Sequence, residues 1–168
     1  AEVLSSEQNS DELLLIGRRH VRSNNSWLHN SHRLVKGKNR CTMMIHPEDA
    51  ARINLSDGEM AKVSSRVGKV EIETEITKEI MEGVISIPHG WGHHHKNTHL
   101  SIASKRPGVS VNDLTDDQFV DRLTGTSVLN GVPVSVTKVT STRKKTISTK
   151  AAAGKKQSPS TETKKTKK

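Results

Sequence analysis

Residues 70–76 read Val-Glu-Ile-Glu-Thr-Glu-Ile, and their strict alternation decides the fold class. Val70, Ile72, Thr74 and Ile76 face one way; Glu71, Glu73 and Glu75 face the other. A period of two, apolar against charged, predicts an antiparallel strand with one wet face. Three glutamates on that face also discourage pairing at an open edge. Upstream, Glu59–Ser65 (EMAKVSS) alternates in part, and Arg66-Val67-Gly68-Lys69 joins the two runs as a hairpin turn. Three short apolar runs, Asp11–Ile16 (DELLLI), Cys41–Ile45 (CTMMI) and Gly83–Pro88 (GVISIP), read as buried strands. Val132–Val139 (VPVSVTKV) reads as the last strand, with Pro133 at a strand start or edge.

Helices are few. His46-Pro47-Glu48-Asp49 followed by Ala50–Ile53 is a helix start, with Pro near the first turn and acids at the positive end. Asn54–Gly58 ends it in a turn. Asp113–Leu123 (DLTDDQFVDRL) predicts a second short helix, with Phe119 and Leu123 on one face, Asp116-Asp117 at the helix start and Gly125 as the stop. Two stretches lack any period, 17–40 and 89–112, and loops of that length inside a domain are usually functional or disordered. Six strands, two short helices and two long loops give a mainly β chain, best closed as a small barrel.

Charge divides the 168 residues more sharply than the net +9 suggests. From Lys138 to Lys168 there are 11 basic residues and one acid, giving +10, so residues 1–137 sum to −1. The body is therefore not a basic nucleic-acid module, and the expected organisation is a disordered N-terminus (1–10), a barrel domain (11–139) and a disordered Lys-rich tail (140–168). The tail suits a solubilising extension or weak, salt-dependent contact with nucleic acid or an anionic surface. Inside the body, residues 11–40 carry seven bases against Asp11 and Glu12, pointing to an anionic ligand at one place. The length excludes a large multi-domain enzyme, and no apolar run approaches the ~20 residues of a membrane span. The chain starts at Ala1 without a secretory leader, and the expected compartment is cytoplasmic.

The first loop reads Gly17-Arg18-Arg19-His20-Val21-Arg22-Ser23-Asn24-Asn25-Ser26-Trp27-Leu28-His29-Asn30. Arginine forks match phosphate oxygens, Ser and Asn add neutral hydrogen bonds, and Trp27 offers a face for a heteroaromatic ring. Composition alone favours the plainer reading of a solvated loop. The second loop places Trp91 between Gly90 and Gly92, where backbone can approach a ligand closely. His93, His94 and His95 invite a metal reading, but consecutive side chains do not converge on one ion, and none is assigned. Cys41 is a buried small hydrophobe, and no nucleophile elbow or Walker motif occurs, so no catalytic residue is assigned.

Five stretches in order, LLLIGRR (13–19), SNNSWLHN (23–30), MMIHPEDAARINLSDGEMAKVSSRVGKVEIETEI (43–76), GVISIPHGWGH (83–93) and VNDLTDDQFVDRLTGTSVLNGVPVSV (111–136), carry a resemblance. Over about residues 11–138 the chain resembles the C-terminal molybdopterin-dinucleotide-binding domain of the molybdopterin oxidoreductases, the group of dimethyl sulfoxide reductase, formate dehydrogenases and nitrate reductases. The resemblance implies a six-stranded double-psi β-barrel whose two long loops line a shared cleft for a molybdopterin guanine dinucleotide carrying Mo or W. By the match, Arg18, Arg19 and Arg22 contact phosphate, and Ser23, Asn25 and Ser26 bond phosphate or pterin. Trp27, His29, His89, Trp91 and Asn112 shape the pterin and guanine pockets, and His20 belongs to the same loop. The iron–sulfur site and the metal-ligating residue of full members have no counterpart here, and Cys41 lies in the wrong segment to replace the latter. The implied partner is the catalytic portion or subunit of a formate dehydrogenase-like oxidoreductase, the isolated chain being inactive. The alternative is a non-enzymatic barrel for protein contact with a nucleic-acid-binding tail.

Overall fold

The alternation read in the sequence becomes the inside and outside of a closed barrel. In the computed structural model, which describes residues 12–139 apart from 96 and 98, six strands form one ring. They are β1 (Leu13–Arg18), β2 (Thr42–Ile45), β3 (Met60–Ser64), β4 (Lys69–Ile76), β5 (Val84–Pro88) and β6 (Val132–Lys138), and two short helices join them, α1 (His32–Val35) and α2 (Pro47–Arg52). The ring order is β1-β5-β2-β4-β3-β6. β1 runs parallel to β5 and β2 parallel to β4; the other four ladders are antiparallel. Exchanging each strand for the one three places later returns the same ring, so β1–β3 and β4–β6 are two interlocked copies of one unit. This is the double-psi β-barrel.

Inward positions fill the core: Leu13, Leu15, Met43, Ile45, Ala61, Val63, Ile72, Ile85, Ile87 and Val134 are all buried. The apolar residues of β4 point inward as the alternation predicts, and Thr74 joins them. β4 is not an edge, however, and it is antiparallel only to β3. Its glutamates line the outside of a closed wall, where Glu75 accepts from Thr42 Oγ1 at 2.5 Å and Glu73 from Asn39 Nδ2 at 2.8 Å. Pro133 is the second residue of β6, and closure leaves no edge for it to occupy.

α2 forms where the sequence places it. His46 is its N-cap, its Nδ1 accepting from the Glu48 N–H, and Pro47 opens the first turn. The buried Asp49 carboxylate takes Arg52 Nη2 at 2.9 Å and the Gly83 N–H at 2.7 Å, tying the helix to the start of β5.

Three expectations are corrected. Asp113–Leu123 is not a helix: a 3-10 turn spans Val111–Leu114 and turns follow. Asp116 is therefore not at a helix start; it accepts from the Gln118 N–H and pairs with Arg66, while Asp121 accepts from the Leu123 and Thr124 N–H groups. These acids close local turns instead of a helix end. The first loop is shorter than read, since β1 runs on to Arg18 in register with Pro88 and α1 occupies His32–Val35. Residues 1–10 and the Lys-rich tail lie outside the described residues. Among the described residues no helix is long and apolar enough to cross a membrane.

Candidate cofactor site

Two parallel neighbours bring the long loops together. β1 and β5 end side by side, Arg18 opposite Pro88, so residues 19–41 and 89–131 leave the same end of the barrel. The junction is tight. His89 donates its N–H to the Arg18 carbonyl at 2.9 Å. A Cβ on Gly17 would fall on the His89 ring, and one on Gly90 (φ +87°) would fall on the Asn25 carbonyl. Gly90 is thus a position where close approach of two backbones requires glycine.

Arg18 lies at the root of both loops. Its Nη1 donates to the Ser86 carbonyl at 2.5 Å, and its Nη2 to the Thr42 carbonyl and Oγ1 at 2.7 and 3.0 Å. It thereby links β1 to β5 and β2. Burial lowers its pKa, and the charge of Glu75 pulls the other way. Arg19 and Arg22 are exposed, and Arg19 Nη1 donates to Asn25 Oδ1. His20, also exposed, accepts from the Arg22 N–H; desolvation and the charges of Arg40, Arg22 and Arg18 hold its imidazole below the ordinary range.

Deeper in, His29 is buried against Trp91, ring centroids 4.0 Å apart, and its Nδ1 lies 2.8 Å from His93 Nε2. Burial, His93 and then Arg40 push the His29 pKa down to about 4, with the Gly90 backbone opposing weakly. Burial lowers His93 as well, and burial together with Arg19 lowers His89. These imidazoles are neutral at pH 7. Ser23 Oγ and His29 Nε2 are buried without a hydrogen-bond partner, as is Arg40 Nε. Asn30 Oδ1 accepts from the Ile102 and Ala103 N–H groups, closing the loop's far end.

Of the residues singled out in the sequence, Arg18, Asn25, His29, His89 and Trp91 meet at this junction. Ser23 is buried and Ser26 half-buried within the first loop, while Trp27, 83 % exposed, packs on nothing comparable. Asn112 is exposed on the 3-10 turn and bonds no residue of the first loop. His93 and Asn30 were not singled out, although both join the loops; three consecutive histidines suggested metal and concealed the one that turns inward. No group of His, Cys, Asp and Glu suited to a metal occurs among the described residues. A cleft of about 390 Å³ lies beside Trp91, between Asn39, Cys41, Glu73, Arg106 and Gly108. A cavity of about 620 Å³ between Leu114, Phe119 and β6 touches none of the singled-out residues.

Known proteins resemble the chain in sequence and in fold. In sequence the chain is 25 % identical over 112 residues to a tetrathionate reductase polypeptide of Salmonella typhimurium, covering 56 % of this chain and 11 % of that protein. It is 26 % identical over 95 residues to the molybdopterin-containing polypeptide of the arsenate respiratory reductase of Chrysiogenes arsenatis, covering 53 % and 11 %. A shorter match, 41 % over 44 residues, joins it to the alpha chain of an F420-dependent formate dehydrogenase of Methanococcus maripaludis, covering 26 % and 6 %. The chain thus spans about a tenth of the length of these curated relatives. Acetylene hydratase from Pelobacter acetylenicus has the same fold, with a TM-score of 0.63 at 23 % identity over 75 % of this chain and 18 % of that one. The match to the molydopterin dinucleotide binding domain runs from residue 13 to residue 133, and this chain belongs to that family.

Proposed function

We propose that the chain forms one wall of a site for a molybdopterin guanine dinucleotide, carrying Mo or W, as a domain or subunit of a larger oxidoreductase. One observation carries the reading. Two loops converge at one barrel end, and the first holds seven cations and no acid between Gly17 and Cys41, together with the unpartnered buried Ser23 Oγ and His29 Nε2. Such a surface suits an anion rich in acceptor oxygens, and unpaired buried polar atoms call for a partner. Arg19 and Arg22 would meet phosphate. Arg18 would add its Nε–H, since its Nη groups already serve the barrel. Ser23, Asn25 and Ser26 would bond phosphate or pterin, His20 would stand beside the phosphates, and Trp27, His29, His89, Trp91 and Asn112 would bound the ring pockets. When bound, the group would supply the redox chemistry, while this chain binds and orients it.

The formate dehydrogenase match supports a formate dehydrogenase-like parent enzyme, whose catalytic portion would be the partner. The family match favours this reading over a free-standing interaction module. The test is recovery of the chain from its own cells at native abundance, with metal and pterin assayed in what co-elutes. Molybdenum or tungsten with a larger redox chain is expected; a metal-free, pterin-free chain eluting alone would sink the reading. In the assembled enzyme, Arg22→Ala should cut cofactor retention at least roughly tenfold, the worth of a charged hydrogen bond.

A further inference from the structure

The three consecutive histidines separate on folding. His94 and His95 are exposed and stack on each other, centroids 4.6 Å apart. His93 turns inward and is buried, edge-on to His29 at 5.1 Å. Its backbone is anchored in the second loop, where the Gly92 and His93 N–H groups both donate to the Pro107 carbonyl at 2.8 and 3.0 Å.

The first loop is anchored differently. Between residues 20 and 29 the backbone bonds are internal: the Ser23 N–H to the His20 carbonyl, Leu28 to Ser23, His29 to Ser26. Beyond the adjoining residues 19 and 31, the side-chain ties of 20–29 to the rest of the described protein gather on His29, whose Nδ1 meets His93 Nε2 and whose ring lies against Trp91 and the Gly90 backbone. The closed position it secures has a cost, because Ser23 Oγ and His29 Nε2 are buried there without partners. An opened loop facing water or an acceptor-rich ligand does not carry that cost.

We propose that His93 is a positioning residue that latches the first loop. Its bond to His29 holds residues 20–29 closed, and release of the latch presents Ser23 Oγ and His29 Nε2 to phosphate oxygens of a dinucleotide, a role for Nε2 beside the ring-pocket role given to the His29 ring above. The direction of this bond follows the tautomer, and in the proposed one His93 Nε2–H donates to His29 Nδ1, which leaves the His29 proton on Nε2, a donor suited to phosphate. The ligand in this proposal rests on the cofactor reading above; the latch itself does not.

The two parts separate in one experiment on the full 168-residue chain. His93→Phe keeps a ring beside Trp91 and removes the bond. His93→Gln restores a donor through its amide. Amide hydrogen exchange reads the latch, and titration with inorganic pyrophosphate, followed at the Ser23, Leu28 and His29 amide resonances, reads the ligand without counting lysines of the tail. In His93→Phe, exchange at these three amides should rise about tenfold, the worth of one hydrogen bond, with Met43 and Ile85 unchanged. Pyrophosphate should bind more tightly by the same factor, because the binding-competent fraction has risen by it. His93→Gln should match the parent chain in both. A merely structural histidine would loosen the loop and weaken binding, not strengthen it. Unchanged loop exchange in His93→Phe, equal acceleration at Met43 and Ile85, or failure of Gln to rescue would overturn the latch. Faster exchange with no pyrophosphate response at the loop amides in any variant would overturn the ligand half.

Discussion

The two ends of the barrel differ in how far their buried polar groups are satisfied. At the end where β2 and β4 finish, the connections are residues 46–59 and 77–83, and the polar groups there close on one another. Asp49 is satisfied at both oxygens, by Arg52 and Gly83, and Asp57 accepts from the Ile76 N–H. At the end where β1 and β5 finish, two connections are long and the first of them is cationic, and Ser23 Oγ, His29 Nε2 and Arg40 Nε are left unpartnered. The first end is not wholly closed, since Thr74 Oγ1 in β4 is also buried without a partner, but three such atoms gather at the second. Local closure and the candidate binding groups are thus unevenly shared along the barrel axis, as loops on a rigid scaffold allow.

Glycine gives the largest test of that division. Gly90→Ala should cost roughly 3 kcal/mol or more, since a Cβ meets the Asn25 backbone at a left-handed position. Gly83→Ala at the other end has the same backbone sign, φ +77°, but open space, and should cost about 1 kcal/mol. Urea midpoints of the two variants compare them directly, and equal losses would mean that the loops are not in close contact. Next is Asp49→Ala, expected to lose about 2 kcal/mol, because it removes a charged acceptor and strands the Gly83 N–H.

Acid should act on the loop end. His29 titrates near 6.5 when unfolded and near 4 when folded, so between these values the unfolded chain binds the extra proton. Stability is then full above about pH 6.5 and falls as pH drops toward about 4. His29→Phe should shallow this slope, while His93 and His89, shifted the same way, keep some of it. Thermal midpoints across that range are the measurement, and an unchanged slope would count against a neutral buried His29. The smallest effect belongs to Ser23→Ala. Removing a buried hydroxyl without a partner should leave the chain's stability within about 0.5 kcal/mol of its starting value, or raise it. The same change should still weaken cofactor retention in the assembled enzyme.

Local patterns were legible and long-range ones were not. The β4 alternation and the His46–Asp49 helix start reflect forces acting within a few residues, and both are found as read. Asp113–Leu123 misled because Phe119 and Leu123 share a helical spacing but not a buried face; Phe119 is partly covered, and Leu123 is 96 % exposed. Without a face to bury, the aspartates' local hydrogen bonds decide the backbone. The candidate loops were legible from charge and glycine placement. The pairing of His29 with His93 was not, since it depends on β1 and β5 lying in parallel register, some seventy residues apart. Nor could the sequence show that Arg18 is largely committed to Ser86 and Thr42.

The ring order also governs how the chain can be made. Going round the barrel, strands of the first half alternate with strands of the second, so each of β1, β2 and β3 is flanked on both sides by β4, β5 or β6. No ladder joins two strands of the same half. During synthesis, therefore, nothing emerging before Lys69 has a strand partner, and the β3–β4 hairpin is the first pairing available. Closure waits for β6, which pairs with both β1 and β3. Such non-local pairing predicts slow folding and a late, concerted transition. It also means that cutting the barrel at its internal repeat yields two pieces with no sheet in either, which can form one only by association.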